Sequence, residues 1–157
     1  MEFNRQISRR LHEEHDATLA LWGRLEQTLA RRGNQPAAAE DVALLRNCAA
    51  QLADEVTRHF AFEETELFPR LAAAGEGDIA ELLLEEHATI RAAARRFGEL
   101  TQPGQDLAAC WPELRRLGLE LAERLVGHVQ KEEMSLLPSL EDLLDEQADA
   151  ELAGRYL

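Results

Sequence analysis

Apolar residues return every three or four positions along most of the chain, and a few breaker clusters cut that pattern into four long helical segments. The first segment runs from about Asn4 to Arg32 and stops at Gly33-Asn34. A second begins near Pro36, a favourable first-turn residue, and runs to Phe68, where Pro69 is expected to interrupt it. Gly75 and Gly77 frame the next turn, and Asp78 is a natural N-cap for a third helix ending near Leu100. After Pro103-Gly104 a fourth helix spans about Asp106 to Leu137, with Pro138 expected to interrupt it. Pro112 marks either the true start of that helix or a kink. Residues 139–157 are expected to form short helices packed on one end. No stretch alternates as a half-buried strand would. Four helices of roughly 23 to 33 residues joined by short turns favour antiparallel neighbours. The expected fold is therefore all-α, an up-down-up-down four-helix bundle. It forms one domain over residues 1–157, with the core bundle at about 4–138.

The apolar stripes contain residues that do not belong in a core. The first reads Ile7, Leu11, His15, Leu19, Trp22, Leu25, Leu29, and the second Leu45, Cys48, Leu52, Val56, His59, Glu63, Leu67. The third reads Ile79, Leu83, His87, Ile90, Ala94, Phe97. The fourth reads Leu107, Cys110, Leu114, Leu117, Leu121, Leu125, His128, Glu132, Leu136. Each stripe holds a histidine and two also hold a glutamate. An isolated buried carboxylate costs several kcal/mol or neutralises by shifting its pKa, unless it meets a partner or a metal.

An internal repeat points to the same residues. HFAFEETELFP at 59–69 aligns with HVQKEEMSLLP at 128–138, and HEEHDAT at 12–18 aligns with LEEHAT at 84–89. The offsets are 69 residues (59 to 128) and 72 residues (15 to 87), so the chain reads as a helical hairpin used twice. The approximate twofold relation pairs His15 with His59 and His87 with His128. Glu63 and Glu132 each follow a histidine by one turn, so each pair can face one point. Four imidazoles and two carboxylates suit first-row metals, particularly Fe, Mn or Zn. Two metals, each with two histidines and both bridged by the two carboxylates, use all six groups. The Glu-x-x-His pattern of ferritin-type bundles is excluded, because His12, Val56, Leu84 and Leu125 stand three residues before the four histidines.

Composition narrows the partners. There are 17 Lys and Arg against 30 Asp and Glu, a formal net charge of −13, which disfavours nucleic acid and anionic membranes. No apolar run is long enough for a membrane span and none resembles a secretory signal, so a cytoplasmic location is expected. The two cysteines, Cys48 and Cys110, cannot form a disulfide framework. At 1.5 Å per residue they lie about 16 and 27 Å along their helices from His59 and His128, and read as small buried hydrophobes.

Over residues 8–138 this pattern resembles the hemerythrin-like (HHE cation-binding) family. The resemblance rests on the order His15, His59 with Glu63, His87, His128 with Glu132, and on the trailers EETELFP and EEMSLLP. It implies two non-haem iron ions bridged by Glu63 and Glu132, one held by His15 and His59, the other by His87 and His128. The oxygen-carrying hemerythrins have two histidines one turn apart on the third helix, whereas Leu83 and Arg91 flank His87 here. Their last carboxylate is an aspartate five residues after its histidine; here Glu132 and Glu133 both stand available, and the spacing of Glu63 favours Glu132. The pattern is closer to bacterial hemerythrin-like proteins, without the cysteine-bearing N-terminal segment of the iron-cluster-repair subgroup.

The missing fifth histidine moves the expectation from oxygen carriage towards binding or reaction with O2, peroxide or NO, with an electron donor left unnamed. The alternative is a non-enzymatic iron or oxygen sensor, or an iron store, acting through a protein partner. Around the six candidates, His12 reads as a rim residue that can reach the site. Glu64 and Glu133 read as outer partners or solvated groups, and Glu14 and Glu86 as solvated. Trp22 reads as core. Phe60 and Phe62 read as packing residues that can also shape access. Arg91 is either exposed or aimed inward, where it would favour an anion.

Overall fold

A computed structural model describes residues 2–156. The bundle is built from α1 (Gln6–Arg32), α2 (Ala39–Asp54), α4 (Gly77–Leu100) and α5 (Trp111–Lys131). The shorter α3 (Phe68–Ala73), α6 (Leu137–Leu143) and α7 (Glu146–Arg155) complete it. No strand occurs among the described residues. α1 packs on α2 and α5, and α4 packs on the same two, which is the closed ring of a four-helix bundle. None of these helices is long and apolar enough to cross a membrane.

Neither expected proline stop is one. The second helix runs on through 39–73 and the fourth through 111–143, because wide π turns precede each proline. One spans Glu63–Leu67 and another Glu132–Leu136, with a further π turn at Glu55–Phe60. The Phe68 amide reaches back to the Glu63 carbonyl and the Leu137 amide to that of Glu132, five residues rather than four. The widened turn relieves the clash a proline ring otherwise makes with the preceding turn, so Pro69 and Pro138 sit at the start of the following α segment. π turns of this kind concentrate at functional sites. Pro112 lies in the first turn of α5 and marks its true start. The second helix begins at Ala39 rather than at Pro36, and α4 at Gly77 with Glu76 as its cap rather than Asp78.

The ends of α1 are closed by distant side chains. At its N-terminus, where backbone amides lack helical partners, Asp149 of α7 accepts from Gln6 N–H (2.8 Å) and Ile7 N–H (3.0 Å). Glu141 accepts from the Asn4 amide and, at 2.9 Å, from that of Arg5. At its C-terminus Arg115 Nε donates to the Leu29 carbonyl (3.1 Å) and Trp111 Nε1 to that of Gly33 (3.0 Å). Gly33 itself turns the chain with φ 58°, a conformation that favours glycine.

The apolar interior is split in two. One cluster, including Trp22, Leu29, Phe97, Leu114 and Leu121, fills one end. The other joins Ile7, Leu11, Leu67 and Leu83 to Leu140, Leu152 and Tyr156 of the C-terminal helices. The histidines fall between the two clusters: His15 lies between Leu11 and Trp22, and His87 between Leu83 and Ile90. Close approach of α5 to α1 is permitted by Gly118, where an added Cβ would come within 2.5 Å of Leu29 Cδ1. Gly118→Val is expected to lower stability by about 1–3 kcal/mol through overpacking. Gly23→Ala, at an open helical position, should raise it by about 0.5–1 kcal/mol. Denaturant unfolding of the two variants checks both signs.

Candidate metal centre

The six candidate ligands are carried inward by the four long helices. His15 comes from α1, His87 from α4 and His128 from α5. His59 lies in the π turn Glu55–Phe60, and Glu63 and Glu132 each open a π turn of their own. All six are buried, with 0–2% exposure. Glu63 Oε1 lies 3.3 Å from His59 Nε2 and 3.4 Å from His87 Nε2. Glu132 Oε1 lies 2.9 Å from His128 Nε2 and 3.5 Å from His15 Nε2. Each carboxylate thus touches one histidine from either half of the repeat.

Ligand atoms of His15, His59, Glu63 and Glu132 all fall within 4.8 Å of one another. The same holds for Glu63, His87, His128 and Glu132, so the two groups share both carboxylates. His15 Nε2, His59 Nε2 and all four carboxylate oxygens are buried with no hydrogen-bond partner. A single buried unsatisfied polar group costs about 1–3 kcal/mol. Six such atoms converging on one place fit a pair of cations with nitrogen and oxygen ligands.

The outward ring nitrogens are held by a second set of carboxylates. His15 Nδ1 meets Glu133 at 3.0 Å, His87 Nδ1 meets Glu64 at 2.7 Å, and His128 Nδ1 meets Glu86 at 2.9 Å. His59 Nδ1 has Glu55 at 3.0 Å and Glu14 at 4.0 Å. The three hydrogen bonds fix which ring nitrogen of His15, His87 and His128 is free and raise its basicity as a ligand, whereas His59 Nδ1 has no hydrogen-bond partner. Glu14 and Glu86 are therefore not the solvated residues the sequence suggested. Each is the neighbour of a histidine on its own helix; Glu86 bonds the histidine of the helix alongside, whereas Glu14 stops 4.0 Å short of His59 and is bonded by Arg58. Glu55 escaped the sequence reading altogether, although it precedes His59 by one turn just as Glu63 follows it. His12, half-exposed, shares Glu133 at 2.8 Å. Arg91 pairs with Glu64 at 2.7 Å instead of facing the centre, and Lys131 holds Glu86 at 2.6 Å.

Proton affinities follow from this crowding. Burial lowers the pKa of His15, but Glu132 and Glu133 outweigh it and raise the value to about 9. The same contest, decided by Glu132 and Glu86, raises His128 to about 10. Burial and the neighbouring Glu132 push Glu63 up. Burial opposes ionisation of Glu132 too, yet His128 and His15 hold it well below the usual carboxylate range. Protons and metal ions compete for these same atoms.

Aromatic rings close one side. Phe60 stacks on His87 with centroids 3.7 Å apart and planes 1° from parallel, and Phe68 lies 5.3 Å from the same imidazole. Trp22 is core, as expected, with Nε1 donating to Gln51 (2.9 Å). Cys48 is buried and Cys110 half-buried, both free.

The hemerythrin HHE cation-binding domain model matches residues 6–140. The chain belongs to that family. Comparison with curated proteins and with solved structures gives no significant match. Membership in the hemerythrin family implies that the chain binds metal cations, and the two His/Glu groups could hold them. The shared carboxylates make a specific outcome testable. Glu63→Ala or Glu132→Ala should each abolish metal uptake. Glu133→Gln, which touches only the His15 side, should weaken binding by about 10–100-fold. Metal content after gel filtration and a chelator competition distinguish these results.

Proposed function

We propose that this chain holds two non-haem iron ions, bridged by Glu63 and Glu132, and binds or reacts with a small diatomic molecule or peroxide. The observation that carries the reading is the pair of four-residue groups sharing both carboxylates. In this reading His15 and His59 hold one iron and His87 and His128 the other, through Nε2. Mn or Zn are possible substitutes.

The protein's own contribution is positional and electrostatic. Glu133, Glu64 and Glu86 orient three of the imidazoles through Nδ1, and Glu55 stands 3.0 Å from Nδ1 of the fourth, His59. Glu63 and Glu132 partly neutralise the ions they bridge, which lets the charge sit between two apolar clusters. Phe60 and Phe68 keep bulk water off the His87 side. With only two imidazoles per metal, coordination positions are left for a ligand such as O2, NO or peroxide. Iron bound there as Fe(II) would supply the electrons for reducing O2, peroxide or NO. Leu83 and Arg91, where the oxygen carriers have a further histidine or its neighbour, favour such redox use over reversible carriage. The reading keeps the cytoplasmic setting expected from the sequence.

Protein produced in iron-replete cells should carry close to two irons per chain, and its oxidised form should show near-ultraviolet absorption that changes on adding azide. No metal, or zinc that iron cannot displace, contradicts the reading. Consumption of peroxide or NO should exceed that of a Glu63→Ala, Glu132→Ala control at least tenfold. Equal rates would remove the catalytic part and leave a sensor or store acting through a partner.

A further inference from the structure

The repeat makes a prediction that one half of the centre does not obey. Glu14 corresponds to Glu86 at the 72-residue offset, and Glu86 bonds directly to its histidine, His128, at 2.9 Å. Glu14 stands 4.0 Å from its histidine, His59, and Glu55 takes the near position at 3.0 Å, outside hydrogen-bond geometry. What separates the halves is a residue from beyond the family-matched segment. α7, pinned to α1 through Asp149, delivers Tyr156 into the core with 2% exposure. Its ring stands edge-on to His59 (centroids 6.1 Å, 86°) and leans on Phe62 (4.6 Å). Arg58 lies 5.0 Å over the same ring and also bonds Glu14 Oε1. The Tyr156 hydroxyl and Glu14 Oε2 are both buried, and neither has a hydrogen-bond partner. A phenol hydroxyl can donate and a carboxylate oxygen can accept.

We propose that Tyr156 is a positioning residue that makes the two metal positions unequal. Its O–H donates to Glu14 Oε2 and, with Arg58 on the other oxygen, keeps that carboxylate off His59 Nδ1. His59 then lacks the hydrogen-bonded carboxylate that Glu86 gives His128, so that only His15 of that pair, through Glu133, has one. This rests on the di-iron reading above.

The test is anaerobic titration of metal-stripped full-length chain with Fe(II) against a competing chelator, with 57Fe Mössbauer spectra of the loaded forms. The wild-type chain should bind two Fe(II) ions with separable affinities and show two iron environments. Tyr156→Phe keeps the ring and removes the donor. Glu14 should then turn to His59, as Glu86 does to His128, tightening the weaker ion about tenfold and drawing the two environments together. A packing defect would not produce such a gain. In Tyr156→Phe, Glu14→Gln the gain should vanish. Unchanged affinities in Tyr156→Phe, or a gain that survives Glu14→Gln, overturns the proposal while leaving the two-iron reading intact. A wild-type chain that takes up no Fe(II) overturns both.

Discussion

Two carboxylates, Glu63 and Glu132, are buried side by side at the middle of a helical bundle, and most of what is unusual in this chain follows from keeping them there. Neither could be ionised in an apolar interior without close opposite charge. Four imidazoles face them; Glu133, Glu64 and Glu86 hold the far sides of three of the rings, and Glu55 stands beside the fourth. The apolar core is accordingly divided into two clusters, one on each side of this polar layer. The π turns that open at Glu63 and Glu132 lie at the same layer and let a proline follow each carboxylate without ending the helix.

The inner layer was legible in the sequence for a simple reason. His15, His59, Glu63, His87, His128 and Glu132 occupy positions where the helical period demands apolar residues, and the repeat marks them twice. The next layer out was harder to read. Glu14 and Glu86 sit one residue before a histidine, about 100° round the helix, which on a single helix looks like solvent. Their partners lie on the neighbouring helix, and sequence spacing alone does not state which faces will meet. Glu55 carried a readable signal, a carboxylate one turn from His59, but the stripe had already assigned the turn on the other side. Tyr156 and Asp149 act across the whole length of the chain, so no local pattern announces them. The prolines misled because their ordinary effect is on an α turn, and the turns before them are wider.

The centre is also less symmetric than its origin in a repeated hairpin suggests. Phe60 and Phe68 press on His87, while Tyr156, Arg58 and Glu55 surround His59. The two His/Glu groups therefore sit in unequal surroundings. The acid excess of the whole chain, −13, is then partly an interior property, since several of its 30 acidic residues surround this one layer.

If those buried groups are there to hold cations, folding and metal binding must be linked. The most direct test is the unfolding midpoint of metal-stripped protein measured against added Fe(II) under anaerobic conditions. The midpoint should rise steeply and level off at two equivalents per chain. In a Glu63→Gln, Glu132→Gln variant it should not respond. A wild-type midpoint indifferent to Fe(II) would contradict the account.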